Sequence, residues 1–428
     1  MKTVCINDNS RENKNKFIDI ATLTEKIANK SFEQLERKGV LIFPASISGY
    51  NDITKEQMIL QSLDDLYIAG NIMGFIGYGD EQLVIKSRFS NDNDYFLHYL
   101  LSKVLDIPNI IDLKTNSEHN DGLFNMLVFL FPYYLKNAIR KGLFKTYISH
   151  NYNDTNLKGK IDVNRHIRQN IPFVGRIAYS QREYSSDNEM MELVRHTIEF
   201  IKKKNYGNSI LSKIKDEVRL VIDATPTFEQ CDKRKIVAKN KRIRIQHAYY
   251  YEYCMLQQLC FLILQHQKQS FGSDTKQIYG VLFDGAWLWE EYVNTIVKDY
   301  FYHPMNKGRK GAQRLFSGNN GLIYPDFIGR DSEFRIIADA KYKPSNNVGN
   351  KDYLQMLAYM FRFEAKKGYF IYPEINSVDD SQFWMNRGNT FENNVEARDD
   401  ICVIKHGLKI HTEADNYESF VAKMQDYE

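Results

Sequence analysis

The sequence predicts a mixed α/β (α+β) protein of several domains, and three observations lead there. A chain of 428 residues, 43% of them hydrophobic, is long enough to bury two or three separate cores. Short apolar runs set among glycines fill residues 39–89, whereas later stretches repeat apolar residues at helical spacing. The last third reads as a helix, two strand-like runs and a second helix, an order that suits helices packed on a mixed sheet. We therefore expect a β-rich domain over residues 1–94, a mainly helical region over 95–280 and an α/β domain over 281–428.

Taken in order, residues 1–20 read as a loose tail and 21–37 as a helix. Val40-Leu41-Ile42-Phe43 and Gly74-Phe75-Ile76-Gly77-Tyr78 are strand-like, and Gly79-Asp80-Glu81 reads as a hairpin turn before Leu83-Val84-Ile85. Residues 95–141 are helical and rich in aromatics, and a loop with Asn151, Asn153, Asp154 and Asn156 follows. Arg165, His166 and Arg168 fit one helix turn. His166 has no second ligand at a suitable spacing and is not read as a metal ligand. Ser186 and Glu189 read as a capping box ahead of Met191, Val194, Ile198 and Ile201, which recur at helical spacing. A further helix is expected over 246–265. In the last part, Trp287, Leu288, Tyr292, Val293, Ile296 and Val297 mark a helix. Residues 322–328 and 334–340 are strands joined by Gly329-Arg330-Asp331-Ser332. A helix over 352–364 carries Leu354, Leu357, Ala358 and Phe361 on one face. No internal repeat or low-complexity linker interrupts the chain.

Composition narrows the function classes. Fifty-seven Lys and Arg against 54 Asp and Glu leave a net charge of only +3, so a nucleic-acid surface would have to come from local clustering. The 28 Tyr and 26 Phe serve mostly as core, with a minority open to base stacking. Cys5, Cys231, Cys254, Cys260 and Cys402 are scattered without a CxxC pair, which suits a reducing cytoplasm and gives no zinc signature. Residues 1–16 are too polar for a secretory signal, and the most apolar stretch, 256–264, contains Gln257 and Gln258. It is far short of the roughly 20 apolar residues of a membrane span. A cytoplasmic protein with no membrane partner is expected.

One constellation carries chemistry. Metal-assisted phosphodiester cleavage needs hard oxygen ligands for Mg²⁺ and gains from a cation that orients the attacking water and offsets developing charge. Asp326 lies in Tyr324-Pro325-Asp326-Phe327, and Asp339 and Lys341 lie in Ile336-Ile337-Ala338-Asp339-Ala340-Lys341. Strand side chains alternate, so Asp339 and Lys341 share a face and Ala340 points the other way, into the core. If the two runs form a hairpin, Asp326 lies roughly across from Asp339. An acid-x-Lys triplet alone is weak: Glu36-Arg37-Lys38, Asp112-Leu113-Lys114, Asp274-Thr275-Lys276 and Glu364-Ala365-Lys366 match it too. None of those has both an apolar β run before it and a Pro-Asp strand a hairpin upstream. Glu290, with Glu291 as its rival, is the candidate third acid of the metal shell, directly or through water. Gln355 and Tyr359 share a helix face, where the glutamine could hydrogen-bond substrate or water. Lys307, Arg309, Lys310 and Arg314 form a glycine-containing basic stretch suited to DNA phosphates. A second basic run, 233–244, reads as charged surface.

Pro325-Asp326 with Asp339-Ala340-Lys341 resembles the PD-(D/E)xK nuclease superfamily, the restriction-endonuclease-like core. Glu290, and Gln355 with Tyr359, match the helix acid and the Q-x-x-x-Y element of some members. The segments 74–89, Leu157-Lys158-Gly159-Lys160-Ile161-Asp162 to Asn170, Trp289-Glu290-Glu291-Tyr292-Val293 and 352–359 resemble the McrC-type subunits of McrBC restriction systems. The resemblance implies a Mg²⁺-dependent endonuclease, with Mn²⁺ able to substitute, that cuts double-stranded DNA carrying modified cytosine. It also implies activity only with an McrB-like AAA+ GTPase hexamer, which the N-terminal domain contacts and stimulates. No GxxxxGK[ST] phosphate loop is present, so no nucleotide is expected on this chain itself. Two other readings compete: a repair or recombination nuclease acting alone, and a non-catalytic regulator of an AAA+ hexamer.

Overall fold

A computed structural model describes residues 2–36, 38, 40–43, 57–90, 94–105, 119–204, 206–242, 245, 248–269, 278–304, 311–318, 320–376, 380–387 and 396–427. The chain divides into two compact units: Met1–Lys114 together with Ser273–Glu428, and Thr115–Gly272. Mixed α+β structure runs through both. This grouping differs from the three consecutive segments expected above, and long-range strand pairing is the reason. Strand Ile278–Asp284, which spans the boundary expected between residues 280 and 281, sits inside the N-terminal sheet, between Ile72–Tyr78 and Leu41–Phe43.

That five-stranded sheet runs in the order Lys2–Asn7, Glu81–Lys86, Ile72–Tyr78, Ile278–Asp284, Leu41–Phe43. Residues 2–20 are thus not a tail. Val4 and Ile6 alternate into the core, Lys2–Asn7 pairs in parallel with Glu81–Lys86, and a 3₁₀ turn buries Phe17 and Ile20. A parallel partner some 80 positions away leaves no local signal in the sequence. Residues 21–37 form two short helices, Ala21–Ile27 and Phe32–Glu36. The hairpin of Ile72–Tyr78 with Glu81–Lys86 forms as expected, with Gly79 at φ +61° in its turn. Gly74 (φ +128°) lets the backbone of Val281 approach: a Cβ there would lie 2.2 Å from the Val281 carbonyl oxygen.

The C-terminal sheet has six strands, in the order Phe301–Tyr302, Phe327–Gly329, Ile336–Ala340, Lys367–Glu374, Ala397–Lys409, Ser381–Asn386. The three central strands are parallel and the outer ones antiparallel. Helix Asn350–Arg362 covers one face, where Met356, Tyr359 and Met360 pack with Ile337, Phe370 and Val403. The face expected from Leu354, Leu357, Ala358 and Phe361 is therefore not the buried one: Leu354 is 69% and Phe361 87% exposed. Helix Gly285–Val297 follows strand Ile278–Asp284 without a break and starts on an Asp284 cap, which accepts from Ala286 and Trp287 N–H. Its Trp289 and Tyr292 pack against Phe96 and Tyr99 of helix Tyr95–Val104, whose Tyr99 also meets Phe420 of helix Tyr417–Tyr427.

The second unit is helical, with one small sheet. The long helices His119–Ile139, Glu189–Lys202 and Tyr251–Gln269 supply its core, through residues such as Leu193, Val194, Ile198, Leu256 and Ile263. The expected loop around Asn151–Asn156 is largely strand: Thr146–Asp154 pairs with Ile177–Ser185 along its whole length. Alternating polar residues on this half-exposed hairpin conceal the strand. The cap of Glu189–Lys202 is Asn188 and not Ser186; its Oδ1 accepts from Met190 and Met191 N–H at 3.1 Å each. Helix Val163–Gln169 contains the Arg165, His166, Arg168 turn.

Candidate metal and nuclease centre

The centre lies at one end of the C-terminal sheet. The hairpin pairs Phe327 with Ala338 and Ile328 with Ile337, so one step further Asp326 falls opposite Asp339. Asp326 Oδ2 accepts from the Ala340 N–H at 2.9 Å, which fixes its carboxyl across the strand gap. Asp339 is 3% exposed, and Lys341, on the same face, forms an ion pair with it. Lys341 Nζ also lies 3.7 Å from Asp352 Oδ1 and 3.5 Å from Gln355 Oε1. Asp352 is held in turn by Lys343 at 2.6 Å and by the Gly349 N–H at 3.0 Å. The residues around Lys341 thus come from the strand and from the first two turns of helix Asn350–Arg362. Gln355 Nε2 bonds the Tyr359 hydroxyl, which donates to the Tyr324 carbonyl at 3.1 Å and so ties the helix to the segment leading into Asp326.

Charge crowding marks the site. Burial, then the charges of Asp339 and Glu290, hold the Asp326 carboxyl well above the usual carboxylate range, against the pull of Lys341. Burial works to lower the Lys341 ammonium, but Asp339, Asp326 and Asp352 outweigh it and keep it above its ordinary value. Burial and the Asp339 charge push the Tyr359 hydroxyl up to about 12. A buried carboxyl crowded by further acids is relieved by a cation, and an all-oxygen donor set suits Mg²⁺ or Mn²⁺ rather than zinc. On that chemistry the residues fit a divalent metal.

Glu290 reaches this centre from helix Gly285–Val297. Asp326, Asp339 and Glu290 do not all bring donor atoms within 4.8 Å of one another, yet the Glu290 charge is felt at Asp326. Glu290 and Glu291 each place Oε1 3.7 Å from His303 Nε2, and His303 Nδ1 bonds the Asp326 carbonyl at 2.9 Å. Burial lowers the His303 pKa, but the bonds to Glu291 and the Asp326 carbonyl and the two glutamate charges raise it overall. Sequence reasoning missed His303, which sits in no motif, and Asp352, which opens the segment 352–359 but was given no role there; the tertiary fold brings both in. Of the expected phosphate contacts, Lys307, Arg309 and Lys310 lie outside the described residues. Arg314 is exposed on strand Gln313–Arg314, and its carbonyl accepts from Arg362 Nε at 2.7 Å. Among the chance acid-x-Lys triplets, Glu364 lies in the turn after helix Asn350–Arg362, and 112–114 and 274–276 lie outside the described residues. The tighter trio Glu229, Cys231 and Asp232 is exposed or half-exposed in the second unit, with Asp232 paired to Lys235. No helix among the described residues is long and apolar enough to cross a membrane.

Fold and site define a mixed α+β protein that gathers two aspartates and a lysine at a sheet end. The family profile described as "McrBC 5-methylcytosine restriction system component" matches residues 68–373, and the chain belongs to that family. No curated protein matches it. Among solved structures, a refined half-complex from a tetradecameric assembly of Thermococcus gammatolerans McrB AAA+ hexamers with bound McrC is similar at 12% identity. It covers 99% of this chain and 100% of that one, with a TM-score of 0.49. The cryo-EM structure of the Thermococcus gammatolerans McrBC complex is similar at 13% identity over 69% of this chain and 87% of that one, with a TM-score of 0.32.

Proposed function

We infer that this chain is the DNA-cutting subunit of a McrBC-type restriction system, a Mg²⁺-dependent endonuclease with a PD-(D/E)xK core. The observation that carries the reading is the meeting of Asp326, Asp339 and Lys341 across adjacent strands, in a chain of this family. Asp326 and Asp339 would hold the metal, with Glu290 extending its shell directly or through water. A divalent cation bound there supplies Lewis acidity toward a phosphate oxygen. Lys341, kept protonated by its acids, offsets charge on the phosphate and orients the attacking water; Gln355 steadies Lys341 and can bond the substrate. Arg314, with Lys307, Arg309 and Lys310, binds the DNA backbone, so affinity should fall with salt. The partner is an McrB-like AAA+ GTPase hexamer, an AAA+ hexamer being what the Thermococcus gammatolerans assembly names, and modified cytosine, as in the family's description, is the mark that the system reads.

The test is reconstitution with the AAA+ GTPase of the same system on DNA bearing 5-methylcytosine. Asp339→Ala should abolish Mg²⁺-dependent cleavage while partner binding survives. Cleavage at the wild-type rate by that variant would overturn the assignment. Cleavage by the purified chain with no NTPase present would instead favour a nuclease acting alone.

A further inference from the structure

A buried polar knot lies where the N-terminal sheet meets the segment that follows Lys341. Arg88 comes just after strand Glu81–Lys86 and reaches across to Tyr342. Its Nη2 donates to the Tyr342 carbonyl at 2.7 Å and to Asn71 Oδ1 at 2.7 Å. The guanidinium lies over the Tyr342 ring, 4.9 Å from its centroid. Asp8, from the end of strand Lys2–Asn7, accepts the Arg88 N–H at 2.6 Å and pairs with its side chain at 3.5 Å. The Tyr342 hydroxyl meets Ser87 Oγ at 2.7 Å, and Phe89 packs edge-on to the ring. Gly285 closes the knot. Its N–H bonds the Asn71 carbonyl at 3.0 Å, and a Cβ there would lie 2.6 Å from the Tyr342 ring.

We propose that Arg88, braced by Asp8 and Asn71, is a positioning residue for Lys341: by gripping the Tyr342 carbonyl it holds the backbone that aims the ammonium at Asp339. The physical argument is one of anchoring. Strand pairing ends at Ala340, and the Lys341 N–H bonds the Ile371 carbonyl at 2.8 Å. Beyond that bond, the next residue is fixed by side chains of the N-terminal sheet rather than by the C-terminal sheet. Holding the residue after a strand-end lysine narrows the directions that its side chain can take. Arginine suits the task because one nitrogen of its planar group, Nη2, bonds the carbonyl and the amide oxygen together while the plane lies on the ring; a lysine's ammonium has no plane to stack. The catalytic part of this inference rests on the nuclease reading above, whereas the positioning part does not.

The experiment uses the full chain and Arg88→Lys, which keeps the charge beside Asp8 and loses the planar group that lies on Tyr342. Amine labelling of Lys341, read by mass spectrometry against exposed Lys351, should rise severalfold. Labelling of half-buried Lys405 on strand Ala397–Lys409 and the unfolding midpoint should stay at wild-type values. In the reconstituted complex, kcat should drop by about tenfold, the size of a modest loss of transition-state stabilisation, with KM for DNA unchanged. Wild-type labelling of Lys341 in a folded Arg88→Lys protein overturns the proposal, as does a joint rise at Lys341 and Lys405. Should that variant fail to fold, Asn71→Ala, which removes the Oδ1 that braces Arg88 Nη2 and leaves the Asn71 carbonyl on the Gly285 N–H, must raise Lys341 labelling on its own or the proposal falls. Absence of cleavage by the wild-type complex would count against the nuclease reading alone, since labelling decides the positioning role without activity.

Discussion

Asp8 shows how one side chain can make a fold pH-sensitive. Burial is the largest influence on its carboxyl and lifts the pKa to about 6 from an ordinary 3.8, although Arg88 pulls the other way. The folded state therefore retains the proton to higher pH than the unfolded chain does. Stability is full below the unfolded value, declines as pH rises from about 4 to about 6, and levels off above that, a loss of up to about 3 kcal/mol. Asp8→Asn keeps the oxygen that accepts the Arg88 N–H and removes the titration. Denaturant unfolding at a series of pH values should show the wild type losing stability relative to Asp8→Asn between pH 4 and 6. Parallel curves for the two proteins would show that the carboxyl does not titrate in that window. At this scale the sequence was legible for Asp326, Asp339 and Lys341, because strand alternation and a hairpin are local rules. Arg88, His303, Asp352 and Tyr342 were not legible. Each matters through a partner far along the chain, and an isolated arginine or histidine carries no sign of what it will meet.

Elements place these side chains, and their ends and buried faces can be tested. Trp289, fully buried on helix Gly285–Val297, donates its indole N–H to the Ile371 carbonyl at 3.0 Å, the same oxygen that receives the Lys341 N–H. Trp289→Phe loses that bond and leaves a void, and should cost about 1–3 kcal/mol in urea unfolding. A change below the error of the measurement would show that the bond is dispensable. In the second unit, Asn188→Ala removes the acceptor for two helix N–H groups and should cost about 1 kcal/mol, whereas Ser186→Ala should cost almost nothing. The reverse ranking would restore Ser186 as the cap. Serine and asparagine are both good capping residues, so composition two positions apart could not choose between them; the approach of the preceding strand does. The buried stripe of helix Asn350–Arg362 was misread for a related reason. Leu354 and Phe361 are apolar enough to suggest a core face, yet Met356, Tyr359 and Met360 are the residues that reach the sheet.

On the scale of the whole molecule, the unit that carries the site is made from both ends of the chain. Mixed α+β architecture was legible from composition and periodicity, but not this interleaving, since no local pattern announces that strand Ile278–Asp284 pairs with Ile72–Tyr78 and Leu41–Phe43. Residues 281–428 produced alone would lose most of that strand's partners, the knot around Tyr342 and the aromatic cover that Phe96 and Tyr99 give to Trp289 and Tyr292. Such a fragment should unfold without a cooperative transition in circular dichroism, whereas the intact chain should show one. A sharp transition in the fragment would mean that the C-terminal sheet is self-sufficient.

Strand Ile278–Asp284 also sets a timetable. Ribosomes deliver the chain from its N-terminus, so the strands Ile72–Tyr78 and Leu41–Phe43 exist for some 200 residues of synthesis before the one that belongs between them emerges. Until then the half-made sheet offers an open hydrogen-bonding edge, which is a hazard for aggregation. The same delay is a safeguard: a chain terminated before Lys341 cannot bring Asp326, Asp339 and Lys341 together.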